Sequence, residues 1–214
     1  MPKKPQVEIV GWEAKNYDNF LNLISFGKYK KFIRKAIQDL DIQEDEIIMD
    51  LGAGTGRNAD LMLRPMQDEG KVYALEIGDE MREQLLIRQS HDSRIHIMNQ
   101  RIEEPFRLPE KATLAFISFV LHGLEQQKRL RVIQNVSENL ISNGRFCILD
   151  YNHFSVQDSP WYVRFGIRTI ECETTEDFIN RDWQDTLFQN GFGDFSQNYY
   201  FKNYLRLISC RKNN

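Results

Sequence analysis

The sequence DLGAGTG at residues 50–56 decides the fold, because its three glycines follow a short apolar run at residues 46–51 and precede a helical pattern at residues 58–66. Glycines between a strand and a helix permit a tight turn and let a ligand approach the backbone. The spacing is GxGxG, since Arg57 stands where the dinucleotide fingerprint GxGxxG has its third glycine. No P-loop Lys-Ser/Thr pair follows, so we expect a strand–turn–helix unit whose ligand need not carry phosphate.

Glu76 ends the next predicted strand, at residues 71–76, and lies 20 residues beyond Gly56. An acid at this place accepts hydrogen bonds from the two vicinal hydroxyls of a ribose. Two other interpretations stay open: a tight turn that binds no ligand, and a solvated carboxylate at the end of a strand. The combination of turn, acid and element order favours a ligand site at this edge.

The rest of the chain continues the alternation of strands and helices. Further strands are predicted at residues 95–98, 112–121 and 145–150, and helices at 79–89, 126–140 and about 176–189, with an Asn143-Gly144 turn before the strand at 145. Strands that are apolar nearly throughout and separated by helices indicate a parallel sheet covered on both faces. Residues 192–200 and 204–210 are predicted to pair as an antiparallel hairpin through 201–203. Before residue 46, two helices are predicted within 17–40, with a break at 25–27.

Composition bounds the class of protein. The chain has 214 residues, 41% hydrophobic residues and a net charge of −3, which predicts one domain spanning residues 1–214 and gives no global basic field for nucleic acid. Three cysteines in no CxxC pattern favour a reducing, cytoplasmic setting. The longest apolar stretch, residues 114–121, is far shorter than a bilayer requires, and we expect no signal peptide. The sequence gives no indication of the oligomeric state.

The DxGxGxG turn with an acid at the end of the next strand resembles the class I S-adenosylmethionine (SAM)-dependent methyltransferases, over roughly residues 12–210. The segments FVLHGL at 119–124 and LISNGRF at 140–146 are also similar to that superfamily. The resemblance implies a Rossmann-like α/β fold with a mostly parallel seven-stranded sheet, a C-terminal antiparallel hairpin and helices on both faces. It also implies that the turn surrounds the methionine part of SAM and that Glu76 binds the ribose.

The cofactor contacts that the resemblance implies can be named residue by residue. They are Tyr17, Asp50, Gly52, Ala53, Gly54, Gly56, Glu76, Ile77, Arg101, Ile102, Ser118 and Phe119. The chain departs from the family at the position that often contacts adenine, which falls near Gln100-Arg101, and Ala115 stands where the fourth strand commonly begins with aspartate. Ile102 is expected to cover the adenine face instead.

The methyl acceptor is suggested by a second, more local resemblance. Residues 16–29, NYDNFLNLISFGKY, and the ISF at 117–119 are similar to the ubiquinone/menaquinone biosynthesis C-methyltransferases, which implies methylation of a quinone-ring carbon. Two alternatives stay open: methylation of another acceptor, such as a lipid amine or a small oxygen nucleophile, and a SAM-binding module without catalysis. No NPPY-like tetrapeptide follows the fourth strand, which disfavours a nucleobase amine.

His122 and Tyr151 are the candidate catalytic residues. His122 follows the fourth strand, at the carboxyl edge where open α/β sheets bind ligands, and a base there would deprotonate a ring hydroxyl and raise the electron density of the ring. The alternative is a histidine that caps the strand–helix turn. Asp150, Tyr151 and His153 follow the fifth strand on the same edge, and a purely structural role is equally open for each.

Two segments outside the sheet have two interpretations each. Residues 155–174 carry Trp161, Tyr162 and Phe165 and are predicted to form a lid over an apolar acceptor, or to be satellite packing. Residues 27–35, within the predicted helical cap at 1–40, form a basic stretch that fits either peripheral contact with an anionic membrane or a solvated helix face. We therefore expect a small-molecule methyl acceptor as partner, and no nucleic acid.

Overall fold

The computed structural model describes residues 28–161, 163–164 and 173–214. Its strands are β1 (Ile47–Leu51), β2 (Lys71–Leu75), β3 (Ile95–Met98), β4 (Ala112–Ser118), β5 (Leu140–Tyr151), β6 (Phe192–Tyr200) and β7 (Leu205–Lys212). Its helices are α1 (Lys28–Gln38), α2 (Arg57–Met62), α3 (Asp79–Gln89), α4 (Gln126–Asn139), α5 (Glu173–Ile179) and α6 (Trp183–Gln189), with a short 3₁₀ turn at Leu121–Gly123.

The seven strands form one sheet in the order β3-β2-β1-β4-β5-β7-β6. Strands β1 to β5 pair in parallel, and β7 runs antiparallel between β5 and β6. This confirms the predicted mostly parallel sheet with a C-terminal hairpin. The chain order reverses between β1 and β4, where Leu51 pairs with Ile117, and an open α/β sheet binds its ligand at such a switch point. The turns after β1 and β4 therefore meet at one edge.

Apolar residues on successive positions of each central strand enter two different clusters. Ile48 lies in a cluster with Ile33 of α1 and Ala59 of α2, whereas Met49 lies in a cluster with Val132 of α4. Side chains alternate between the two faces of a sheet, so helices cover both faces, as the sequence predicts. The burial of both faces fixes the register that aligns the strand ends at the site edge.

Strand β5 begins earlier than the sequence predicts. The Asn143-Gly144 turn was expected to separate α4 from a strand at 145, yet β5 starts at Leu140, directly after α4. The register with β4 shifts between the pairs Ala112–Leu140 and Leu114–Arg145, so the extra residues form a bulge in which Asn143 has a φ of 61°. Asn tolerates this left-handed conformation, which is why a turn signal is found inside a strand.

The predicted helix at 176–189 is two helices, α5 and α6. Asp182 accepts a hydrogen bond from the backbone N–H of Asp185 at 3.0 Å and caps α6. The buried indole of Trp183 donates to the carbonyl of Phe178 at 3.0 Å, which satisfies a carbonyl in the last turn of α5. Strand β4 is also shorter than predicted, because Phe119 has a φ of 54° and ends it at Ser118.

Several expected features fall partly outside the described residues. Tyr17 and most of the cap at 1–40 lie there, as do residues 162 and 165–172 of the predicted lid at 155–174. Within the described ranges, no helix is long and apolar enough to cross a membrane.

Candidate active site

The glycine turn after β1 is fixed to the neighbouring strand by its backbone. The N–H groups of Gly52 and Ala53 both donate to the carbonyl of Leu75, at 2.9 and 3.0 Å. Gly52 has a φ of 75°, and an added Cβ would come within 2.7 Å of Val120 Cγ2. Gly54 has a φ of 56°, and nothing lies within 4 Å of where its Cβ would be. The turn thus packs closely at Gly52 and opens onto free space at Gly54.

Glu76 is held against this turn by two backbone donors. Its Oε2 accepts the N–H of Gly54 at 2.8 Å, and its Oε1 accepts the N–H of Gly78 at 2.7 Å. Partial burial raises the pKa of Glu76, and the backbone hydrogen bonds from Gly78, Gly54 and Ile77 oppose that rise. Because each carboxylate oxygen has a further lone pair, Glu76 retains the capacity to accept ligand hydroxyls.

Asp50 lies beneath the turn and is 1% exposed. Burial, with the nearby charge of Glu76 as a smaller cause, raises the pKa of Asp50 to about 7. Its Oδ2 has no hydrogen-bond partner within the part of the chain that the structure describes. A buried carboxylate oxygen without a partner is costly, so it fits a ligand that brings positive charge or an N–H donor.

Gly56, Ser118 and Phe119 lie around the turn in different directions. Gly56 precedes α2, and Ser118 Oγ accepts the side-chain amide of Asn58 at 2.9 Å, which joins the end of β4 to α2. The Phe119 ring lies 6.2 Å from the ring of Phe32. Phe119 is therefore directed towards α1, and its predicted contact with the cofactor remains a prediction.

The residues predicted near adenine lie after β2 and β3. The side-chain amide of Asn135 donates to the carbonyls of Ile102 and Glu104, both at 2.8 Å, and so shapes the turn after β3. Ile102 is buried, and Arg101 pairs with Glu103 at 3.6 Å. The carbonyl of Ile77 accepts a hydrogen bond from Arg82 at 3.1 Å. The geometry leaves the adenine contacts of these residues as predictions.

His122 and Asp150 form a close pair at the same edge. His122 Nδ1 lies 2.8 Å from Asp150 Oδ1, and the His122 N–H donates to Asp150 Oδ2 at 3.3 Å. Asp150 is buried and also accepts the N–H of Tyr151 at 2.8 Å. An aspartate on Nδ1 selects the tautomer in which Nε2 is the basic nitrogen, so the pair is suited to proton abstraction.

The role of Asp150 as the partner of His122 is not evident from sequence spacing. The two residues are 28 positions apart, and the sequence leaves a purely structural role for Asp150 equally open. The usable signal is the sheet order, since Ser118 pairs with Leu149 across β4 and β5. Residues that follow these paired positions must meet at the carboxyl edge.

The comparisons with known proteins bear on this edge directly. A family model described as a methyltransferase domain matches residues 48–144, which hold the glycine turn, Glu76 and His122 and amount to a little under half of the chain. Over these residues the chain is similar to a methyltransferase domain. A comparison with curated protein sequences gives no match.

Solved structures show the same fold over most of the chain. The human N-acetylserotonin methyltransferase, solved in complex with SAM, is 17% identical with a TM-score of 0.66, over 88% of this chain and 53% of that one. A SAM-dependent methyltransferase from Aquifex aeolicus is 15% identical with a TM-score of 0.60, over 84% of this chain and 89% of that one. The pyocyanin biosynthetic protein PhzM is 16% identical with a TM-score of 0.67, over 94% of this chain and 60% of that one. The chain thus spans about half the length of the human enzyme.

The match to the methyltransferase domain and the neighbour solved with SAM make SAM the candidate cofactor for this edge. The site fits this cofactor in two observed respects. The partnerless Oδ2 of Asp50 suits a ligand that carries a sulfonium and an ammonium, and the open space at Gly54 suits close approach to the backbone.

Proposed function

We propose that the chain is a SAM-dependent methyltransferase that acts on a small aromatic acceptor with an ionisable hydroxyl, with His122 as the general base. The observation that carries the proposal is the 2.8 Å contact between His122 Nδ1 and Asp150 Oδ1 at the edge that holds the glycine turn. A base oriented by a buried carboxylate matches the need to remove a proton before or during methyl transfer. Acceptors that need no deprotonation would gain nothing from it.

SAM supplies the methyl group from its sulfonium. The chain's own residues do the rest. Glu76 and Asp50, with Gly52, Ala53, Gly54 and Gly56, would hold the cofactor at the end of β1. The remaining predicted contacts are proposed on the resemblance alone: Tyr17, Ile77, Arg101, Ile102, Ser118 and Phe119. Holding donor and acceptor in line contributes about 7–11 kcal/mol to lowering the barrier.

The proton of the acceptor hydroxyl would go to His122 Nε2. The new bond would form from the acceptor oxygen, or from a ring carbon beside it, to the methyl carbon as the bond between that carbon and sulfur breaks, which leaves S-adenosylhomocysteine. A ring carbon that gains the methyl group would then lose its own proton to solvent. Asp150 stabilises the resulting imidazolium without taking the proton. A positioned base of this kind contributes on the order of 10²–10⁴-fold in rate. Tyr151 serves in this proposal through its ring, which lies 5.2 Å from that of His122.

Aromatic side chains around His122 support an aromatic acceptor. The ring of Tyr151 and, at 6.4 Å, the ring of Phe178 both pack edge-on against the imidazole. Phe178 is buried in the core, so the partly exposed ring of Tyr151 is the one that a flat apolar ligand would contact. The human structural neighbour is named for N-acetylserotonin, which agrees with a small-molecule acceptor.

Ring-carbon methylation of a hydroquinone is the specific form that the sequence favours. It rests on the similarity of residues 16–29 and 117–119 to the quinone C-methyltransferases. The same base serves both outcomes, because a phenolate carries electron density on its oxygen and on the adjacent carbons. The product, an ether or a ring methyl, decides between them. Lipid-surface contact by α1, whose exposed residues include Lys30, Lys31 and Arg34, belongs to the same hypothesis.

The test is methyl transfer from radiolabelled SAM to catechol, 4-hydroxybenzoate and a soluble hydroquinone, with products identified by mass spectrometry and NMR. We expect labelled product from at least one phenol. His122→Ala should lower the rate by about 10²–10⁴-fold, which is the contribution of a positioned base. The matched control is His153→Ala, since His153 Nδ1 contacts the carbonyl of Ile179 instead. Full turnover by His122→Ala would dismiss the base, and no transfer to any phenol would overturn the acceptor class.

A further inference from the structure

Arg129 is a charged residue in the middle of the core. It lies on α4 and is 0% exposed. Its guanidinium donates five hydrogen bonds, to the carbonyls of Leu121 (2.9 Å), His122 (3.2 Å) and Thr174 (2.7 Å), to Asp177 Oδ2 (2.5 Å) and to Gln126 Oε1 (3.3 Å). A buried charge is tolerated only when its donors are satisfied, and here each nitrogen of the guanidinium is used.

Aromatic rings complete the surroundings of this guanidinium. Its central carbon lies 5.3 Å from the centroid of Phe178 and 5.8 Å from that of Trp183. Burial lowers the pKa of Arg129, and the ion pair with Asp177 opposes that shift. An arginine beside the buried Val132 and Ile133 would be replaced by leucine or methionine at little cost if it served packing alone.

The bonds of Arg129 connect two parts of the site. Two of the accepting carbonyls, those of Leu121 and His122, belong to the 3₁₀ turn that carries the histidine ring. The other acceptors include Thr174 and Asp177 of α5, the helix whose Phe178 ring packs against His122. One side chain therefore sets both the backbone of the histidine and the wall beside its ring.

We propose that Arg129 is a positioning residue for His122: it fixes the backbone of the histidine while Asp150 fixes its Nδ1. The inference rests on the proposed role of His122 as base, although the positioning itself is measurable without any acceptor. Arginine suits this task because its planar fork reaches several carbonyls at once, whereas the single ammonium of lysine does not. Without the fork, the 3₁₀ turn loses two anchors, and the contact between His122 and Asp150 loosens.

The test reads the histidine ring by NMR. The chain has four histidines, so long-range ¹H–¹⁵N spectra of the imidazoles resolve each tautomer, and His122→Ala assigns one of them. In the wild type, His122 is expected in a single tautomer with the proton on Nδ1. In Arg129→Lys and Arg129→Met the signals of His122 are expected to average between tautomers, while those of His91, His96 and His153 stay unchanged.

The matched control is Arg94→Lys. Arg94 also donates to two backbone carbonyls, those of Leu63 at 3.2 Å and Met66 at 2.7 Å, but these lie after α2. The Arg94→Lys variant should be less stable than the wild type, while the NMR signals of His122 stay unchanged. Calorimetric titration of SAM should give dissociation constants within about twofold of the wild type for Arg129→Lys, because the cofactor residues are untouched. Where Arg129→Met does not fold, Arg129→Lys decides.

A kinetic measurement on a phenol that the wild type methylates completes the test. Arg129→Lys should lower kcat by about 10²-fold with little change in the KM of the phenol, since misplacement of a catalytic group costs this much. His122 signals identical to the wild type in Arg129→Lys would overturn the positioning role. Averaged signals together with full turnover by His122→Ala would instead overturn the base, and leave the positioning of the ring in place.

Discussion

The carboxylate of Glu76 accepts a hydrogen bond from the backbone N–H of Gly54 at 2.8 Å, so an acid at the end of β2 holds the turn that follows β1. The turn is thereby shaped before any ligand arrives. Preorganised groups lose little entropy on binding, which favours affinity. The same carboxylate is the predicted acceptor for the ribose, so one side chain links the shape of the turn to recognition of the cofactor.

Replacement of Glu76 should weaken SAM binding while the fold persists. A hydrogen bond to a charged acceptor contributes about 1.5–3 kcal/mol, so Glu76→Ala is expected to raise the dissociation constant by about 10- to 100-fold or more in calorimetric titration. Glu110→Ala is the control, because Glu110 also accepts two side-chain hydrogen bonds, from Lys71 and Tyr73, and is not part of the site. Unchanged affinity in Glu76→Ala would remove Glu76 from the cofactor site.

Alanine at Gly54 should abolish binding without unfolding the chain. Gly54 and Gly191 both have positive φ values, 56° and 85°, and neither has any atom within 4 Å of an added Cβ. Gly54→Ala and Gly191→Ala are therefore expected to cost similar stability, about 1–2 kcal/mol each, in chemical denaturation. Only Gly54→Ala should lose SAM affinity, because its Cβ enters the space where the ligand approaches. Equal SAM affinities in the two variants would contradict this assignment.

The buried Asp50 makes stability and binding depend on pH. Its pKa of about 7 in the fold is above the usual value of 3.8, so the protein is stabilised by protonated Asp50 at low pH and loses that stability as pH rises from about 4 to 7. Asp50→Asn has no such loss. The free energy of unfolding of Asp50→Asn minus that of the wild type, measured with denaturant, should increase by up to about 4 kcal/mol as pH rises through this window. A pH-independent difference between the two would show that Asp50 is not perturbed.

SAM affinity should rise over the upper part of the same range. The positively charged cofactor favours ionised Asp50, so binding releases a proton wherever Asp50 is protonated beforehand. Titration calorimetry is expected to give about tenfold weaker binding at pH 6 than at pH 8, with heats that depend on the ionisation enthalpy of the buffer. Asp50→Asn should show neither effect. Buffer-independent heats in the wild type would refute the coupling.

Glycine at Lys202 should stabilise the protein. The exposed hairpin turn between β6 and β7 places Phe201, Lys202 and Asn203 at φ values of 48°, 56° and 68°. Left-handed backbone costs a non-glycine residue about 1 kcal/mol, so Lys202→Gly is expected to raise the free energy of unfolding by about that much. The control, Lys31→Gly on the exposed face of α1, should instead lower it by about 1 kcal/mol. Destabilisation by both variants would contradict the strain.

The sequence predicts the fold well because the relevant signals are local. The glycines at 52, 54 and 56 and the apolar strands identify the parallel sheet, and Glu76 follows from its distance to the turn. The sequence does not predict that the helix at 176–189 divides in two. Asp182 is recognised as a helix cap only in the structure, where Trp183 also donates to the carbonyl of Phe178 at the end of the preceding helix. The bulge at Asn143 was missed because its signal is the same as that of a turn.

The long-range part of the site was less predictable. Asp150 meets His122 only through the pairing of β4 with β5, and Arg129 meets the carbonyl of His122 through the packing of α4. One signal was available for Arg129. It shares the spacing i, i+3, i+4, i+7 with the buried Val132, Ile133 and Val136, which places a charge on the buried face of the helix. A charge at such a position points to a buried polar network.

The most direct test of the account is a crystal structure of the chain soaked with S-adenosylhomocysteine, the demethylated cofactor. We expect its density along the glycine turn, with the ribose hydroxyls within hydrogen-bonding distance of Glu76. Density for this compound at another place, with the edge between Gly52 and Glu76 lacking it, would contradict the assignment of the cofactor site.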